Sequence, residues 1–126
     1  MPMTRLVLND LFASPVVPHA VVHDGTVYIS GVLGTLDTAG TVAEAAEEEF
    51  RAAMSNLLAV LAAAGSSPTG LLQLSVHLSS IDLLPLFNEV YAAMLPDERP
   101  ARATVQSGLY GTCRVEIAAI AALEDS

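Results

Sequence analysis

The chain has 126 residues, of which 52% are hydrophobic, and fourteen carboxylates against five arginines give a formal charge of −9 with no lysine at all. A surface of that sign, without a basic run, offers nothing to neutralise a phosphate backbone, and the lack of lysine excludes Schiff-base chemistry through a side-chain amine. Cys113 stands alone, so an intrachain disulfide is excluded and a reducing compartment is expected.

Met1 to Asp10 lacks the basic-then-apolar layout of a secretory leader, which makes a cytoplasmic location the default expectation. Thr4 to Leu8 is a short β-rich run, and the prolines of Ser14 to Pro18 interrupt pairing after it. Ala20 to Val22 and Thr26 to Ser30 are apolar and β-branched around His23-Asp24-Gly25, the pattern of a hairpin closed by an Asp-Gly turn. Asp37 to Gly40 is a second turn candidate.

Ala43 to Ala64 is rich in helix formers, with Ala46, Phe50, Ala53, Met54, Leu57, Leu61 and Ala64 on one face. Thr41 is a candidate cap with Glu44 three residues on, and Gly65 is the expected stop. Glu44, Glu47, Glu48 and Glu49 crowd the first turns, where the helix dipole favours negative charge, and read as a solvated helix start rather than a metal site. Leu71 to Leu78 reads as a strand. Asp82 to Leu95 reads as a helix capped near Ser80 to Asp82, because Pro85 fits only a first turn. Ala103 to Gln106 and Arg114 to Leu123 read as two strands around a loop holding Gly108 and Gly111.

This order describes one α+β domain, with about six strands in a mixed sheet and two helices on one of its faces. The strands are apolar on both sides, the mean hydropathy is +0.52, and no apolar run approaches the roughly 20 residues that would span a bilayer. The second sheet face is therefore expected to pack against other copies of the chain, making a homo-oligomer.

Five segments in order resemble a known family: Val27-Tyr28-Ile29-Ser30-Gly31, the stretch from Asn56 to Gly65, Asn88-Glu89-Val90-Tyr91, Pro100-Ala101-Arg102, and Val115-Glu116-Ile117 with Ala119-Ile120-Ala121. Over residues 14 to 123 the chain looks like a member of the reactive-intermediate-deaminase (Rid, YjgF-like) family. The resemblance implies a chorismate-mutase-like fold, a homotrimer with three clefts between subunits, and hydrolysis of enamines or imines such as 2-aminoacrylate to release ammonia. Neither metal nor cofactor is expected, and the partner is a small carboxylate rather than nucleic acid or membrane.

Arg102 opens an apolar strand, and its guanidinium can grip a carboxylate through two parallel hydrogen bonds, a geometry lysine lacks. A surface ion pair is the plainer reading, and the family's carboxylate-binding arginine aligns here. Glu116 lies in the apolar run from Val115 to Ala122, an expensive place for a carboxylate without a partner or a cleft. An ion pair with Arg114 is the alternative. By resemblance, Glu116 places or activates the hydrolytic water, together with the main-chain carbonyl of Thr104.

Ser30 and Gly31 offer a hydroxyl and close backbone approach at the end of a strand. Asn88 is on a largely apolar helix face, where its amide either ties subunits together or, as in the family, borders the cleft. His19 aligns where well-known members carry a pocket tyrosine and would substitute a titratable imidazole. His23 reads as turn surface, His77 as packing and Cys113 as a buried or loop thiol. The family's usual glutamine after Ser-Gly is Val32 here, and its Leu-Pro loop becomes Leu109-Tyr110-Gly111, so Tyr110 is a candidate to cap the cleft. These departures bear on which substrate is taken. A non-deaminating pathway enzyme and a non-catalytic ligand-binding trimer remain the rival readings.

Overall fold

The structure, a computed structural model, describes residues 2–95 and 97–124. Asp24 and Gly25 both have positive φ, 50° and 77°, as a two-residue type I′ hairpin turn requires. They join β2 (Ala20–His23) to β3 (Thr26–Leu33), and β1 (Thr4–Leu6) lies along the outer side of β2. β1 stops two residues short of the expected Leu8, and β3 runs three residues past Ser30. Its register against the last strand slips between Ile29 and Val32, so Ser30-Gly31 is a bulge inside a longer strand rather than a strand end.

The sheet order is β1-β2-β3-β6-β4-β5, where β4 is Leu71–Leu78, β5 is Ala101–Gln106 and β6 is Val115–Ala122. Every neighbouring pair is antiparallel except β4 and β5. Those two run parallel because α2 (Leu84–Met94) carries the chain back between them. Ser80 accepts a hydrogen bond from the Asp82 N–H, but this caps a short 3₁₀ turn, Ile81–Leu83, that precedes α2. Arg99 closes the other end of α2, donating to the Leu95 and Ala92 carbonyls.

α1 spans Ala46–Ala64 and stops at Gly65, whose φ is 91°. It starts three residues later than expected and has no side-chain cap. The Thr41 N–H instead donates to Asp37 Oδ1, which also accepts from Ala39, and Thr35 bridges to Val42, so residues 41–42 are held extended. These contacts with Thr41 hold the Asp37 carboxyl below its usual value.

α1 and α2 cover one sheet face together, their Phe50 and Phe87 rings meeting edge to face at 5.4 Å. Beneath them Leu74, Val76, Leu78, Val115, Ile117 and Ala121 are fully enclosed. Among the described residues no helix lies on the opposite face, where Tyr28 and Val105 remain about half exposed beside Ala118 and Ile120. One member of the acidic run departs from expectation: Glu49 is wholly buried, not solvated. Its Oε1 takes Arg114 Nη1 at 2.7 Å and its Oε2 takes the Arg114 N–H at 2.7 Å. That pair fastens α1 to the start of β6, and Arg114 also donates through Nη1 to the Ala43 carbonyl and through Nη2 to the Glu44 carbonyl.

Candidate functional site

Arg102 sits on β5, an edge strand, with its outer backbone groups unpaired by any strand of the sheet. In the ladder it faces Leu74, and Thr104 faces Val76, two residues buried against the helices. Paired residues share a sheet face, so Arg102 and Thr104 point to the helix side. The Arg102 guanidinium lies over the Tyr91 ring at 4.7 Å and donates through Nη2 to Asn88 Oδ1 at 2.7 Å. Among the described residues it has no carboxylate partner, unlike Arg51 and Arg114. The ring, the amide and the edge strand thus hold a cation that is partly buried and has no carboxylate to compensate it, ready for an anion. Burial raises the Tyr91 phenol pKa, against the pull of Arg102 and Arg99. Thr104 Oγ1 is buried with no hydrogen-bond partner.

Glu116 belongs to the other side. It is paired with His77 on β4 and Leu33 on β3, the face without helices. Arg102 and Glu116 are separated by roughly 10 Å across the strands, roughly 10 Å along them, and the thickness of the sheet itself. The alternative ion pair with Arg114 does not form, because that guanidinium is taken by Glu49. Instead the Glu116 carboxyl lies against Gly31, where a Cβ would come within 2.6 Å of its Cδ. The bulge in β3 and the missing side chain at Gly31 together make the berth for this carboxylate.

Gly31, Ser30, His19, Tyr110 and Glu116 all line one cavity of about 540 Å³. Five of the residues singled out by sequence therefore converge, whereas Arg102, Asn88 and Thr104 form a second cluster elsewhere on the chain. Within the first, Ser30 Oγ donates to the Pro18 carbonyl at 2.7 Å. His19 Nδ1 accepts from the Leu8 N–H and Nε2 meets the Phe12 carbonyl, each at 2.9 Å. The acceptor role at Nδ1 and the donor role at Nε2 define a neutral tautomer, and no ring nitrogen is left for a ligand. His19 is thus the strut of the loop from Val7 to Pro18, which forms one wall of the cavity, so the imidazole expected in place of the family's tyrosine is committed to the backbone. Tyr110 projects from the β5–β6 loop with 75% of its surface exposed.

Sequence reasoning did not single out Leu11, Phe12, Val17, Asn56 or Val60, which also line the cavity. Asn56 had a signal, since it heads a matching stretch; its amide donates to the Leu33 and Thr35 carbonyls and pins the exit of β3 to α1. Elsewhere, His77 Nδ1 meets Ser107 Oγ at 3.1 Å, and His23 Nε2 meets Asp24 at 3.1 Å in the hairpin turn. Cys113 is buried, and its thiol pKa is raised first by desolvation and then by the charges of Glu49 and Glu116.

The chain is thus an α+β domain of six strands, with an arginine on one sheet edge that has no carboxylate partner among the described residues and, on the other side of the sheet, a carboxylate beside a cavity. Comparison with known proteins is consistent with that class. The profile of the family described as Endoribonuclease L-PSP matches residues 12–123, and the chain belongs to this family, which includes the RidA and YjgF proteins. It is 36% identical over 104 residues to human 2-iminobutanoate/2-iminopropanoate deaminase, covering 81% of this chain and 76% of that one. It is 39% identical over 92 residues to the mitochondrial protein mmf2 of Schizosaccharomyces pombe, covering 71% and 70%. The crystal structure of RidA from the Antarctic bacterium Psychrobacter superposes with a TM-score of 0.90 at 30% identity, covering 95% of this chain and 99% of that one.

Proposed function

We propose that the protein is a hydrolytic deaminase of reactive 2-imino and 2-enamino acids, working as a homotrimer with sites between subunits. The observation that carries this reading is Arg102, a guanidinium on an edge strand oriented by Asn88 and Tyr91, with no carboxylate partner among the described residues. The names of the human and other relatives as 2-iminobutanoate/2-iminopropanoate deaminases support it. Because Arg102 and Glu116 lie on opposite sheet faces, a site using both draws one from each of two subunits, and the face without helices is the surface available for that contact.

In such a site Arg102 binds the substrate carboxylate through two parallel N–H donors and fixes the adjacent C=N bond. Glu116, berthed against Gly31, accepts a proton from water as the water oxygen bonds to the imine carbon. The Thr104 carbonyl is a second acceptor for that water. The proton taken by Glu116 passes to the imine nitrogen, giving a carbinolamine; a second proton goes from the carbinolamine hydroxyl to the nitrogen as the C–N bond breaks and the carbonyl forms, so ammonia leaves with a 2-oxo acid as the other product. The thiol of Cys113, kept protonated by burial, takes no part.

The test is direct. Imines generated in situ by an amino-acid oxidase, or 2-aminoacrylate from a dehydratase, should decay faster with the wild-type protein and at the uncatalysed rate with Arg102→Ala. No acceleration by the wild type would overturn the reading.

Nuclease activity, which the family description names, has no support in the charge distribution. Arg51 and Arg114 are paired with glutamates and Arg99 caps α2, leaving only Arg5 and Arg102, far too few cations to track a nucleic-acid backbone.

A further inference from the structure

The cavity beside Glu116 says what kind of imino acid belongs there. An imine derived from alanine or 2-aminobutyrate has a handful of non-hydrogen atoms and displaces only a few waters of about 30 Å³ each. The space onto which Glu116 opens measures about 540 Å³. Away from that carboxylate much of its wall is hydrocarbon, from Leu11, Phe12 and Val17 of the N-terminal loop, Leu33 of β3 and Val60 of α1, interspersed with the polar side chains of Ser14, Thr35, Asn56 and Tyr110.

Several polar groups on its rim are already committed to the protein's own backbone. Ser30 Oγ donates to Pro18, both His19 nitrogens are bound to Leu8 and Phe12, and the Asn56 amide donates to Leu33 and Thr35. A ligand group extending from Glu116 into the cavity thus meets mainly apolar surface and recovers binding energy in proportion to the apolar area it buries.

We propose that this cavity receives the side chain of the substrate, and that the protein prefers 2-imino acids with a branched aliphatic or aromatic side chain over the smallest members of the class. The inference rests on the deaminase reading of the same site and specifies it. Val17 is the residue to test, because it lines the cavity from the loop while 46% of its surface is exposed, so a larger side chain there does not repack the core.

The 2-oxo acid products are stable probes. Titration calorimetry with pyruvate, 2-oxobutanoate, 4-methyl-2-oxopentanoate and phenylpyruvate should show affinity rising by about fourfold for each buried methylene. The kcat/KM values for the corresponding imines should follow the same order. Val17→Trp, with an unchanged melting temperature, should weaken the two larger acids by tenfold or so and pyruvate by much less, since its added ring takes up the space their side chains need. Equal affinity for pyruvate and 4-methyl-2-oxopentanoate, or an equal loss for all four acids in the variant, would overturn the inference. If small imines are hydrolysed and large ones no faster, the preference fails and the deaminase reading stands. If the oxo acids bind in the expected order and no imine is hydrolysed, the deaminase reading fails and the preference survives as a property of binding.

Discussion

Arg102 depends on shape as much as on charge. Its flat guanidinium stacks on Tyr91 while one nitrogen reaches Asn88, which leaves the remaining donors in a plane that matches a carboxylate. Lysine keeps the charge but has neither the plane nor the second parallel bond. Arg102→Lys should therefore lower kcat/KM for imino acids by on the order of 100-fold, the loss of one charge-assisted hydrogen bond and its alignment. Retention of more than about a tenth of the wild-type value would show that charge alone suffices. Glu116→Gln should act on a different quantity. It removes the proton acceptor but leaves the berth on Gly31 filled, so kcat should fall by about 10²-fold or more with the affinity for 2-oxo acids unchanged. Both residues were legible from sequence because a charge inside an apolar strand is costly without a purpose. The role of His19 was not, since nothing local says that its two nitrogens fall between Leu8 and Phe12.

At the scale of elements, the bulge in β3 is what turns a strand into part of a site. Gly31 faces the Glu116 carboxyl so closely that a methyl group would overlap it. Gly31→Ala should push that carboxylate from its berth and lower kcat by tenfold or more, with little change in melting temperature because Gly31 is exposed. A variant with full kcat would show that the position of the carboxyl is not critical. The Glu49–Arg114 pair has the opposite signature. Glu49→Ala leaves Arg114 without its partner at the junction of α1 and β6, and should cost about 2–4 kcal/mol. This falls below the range for a fully enclosed pair because the Arg114 side chain is still 31% exposed. Thermal unfolding should register a drop on the order of 10 °C.

Helix existence and the hairpin turn were plain in the sequence, through 3.6-residue periodicity and the Asp-Gly pair. The start of α1 was not, because Thr41 is a good capping residue by type and loses that role to the Asp37 turn and the Thr35–Val42 bridge. Glu49 escaped for a related reason. Four glutamates in a row of helical turns look alike until tertiary contacts choose the one that faces inward.

For the whole molecule, the decisive fact is the unequal treatment of the two sheet faces. One is sealed by α1 and α2, and the other carries Tyr28, Val105, Ala118 and Ile120 with no helix above them. The apolar excess in the composition pointed to this, but composition cannot say which surface is left uncovered; that follows from both helices crossing on the same side. Sedimentation should give a mass about three times that of the 13.1 kDa chain. Tyr28→Arg places a charge on the bare face at a position about half exposed in the single chain. It should yield folded subunits that no longer assemble and have lost activity, although no residue near Glu116 or Arg102 has changed. A fully active Tyr28→Arg trimer would place the subunit contact elsewhere.

The separation of Arg102 and Glu116 across the sheet also makes the protein open to a test by mixture. Arg102→Ala and Glu116→Gln subunits are each expected to be inactive alone. Unfolded and refolded together in equal amounts, they would pair an intact arginine with an intact glutamate at about a quarter of the sites, since each such site needs one particular ordered pair of neighbours. Two dead proteins would thus regain activity together, with neither having been repaired.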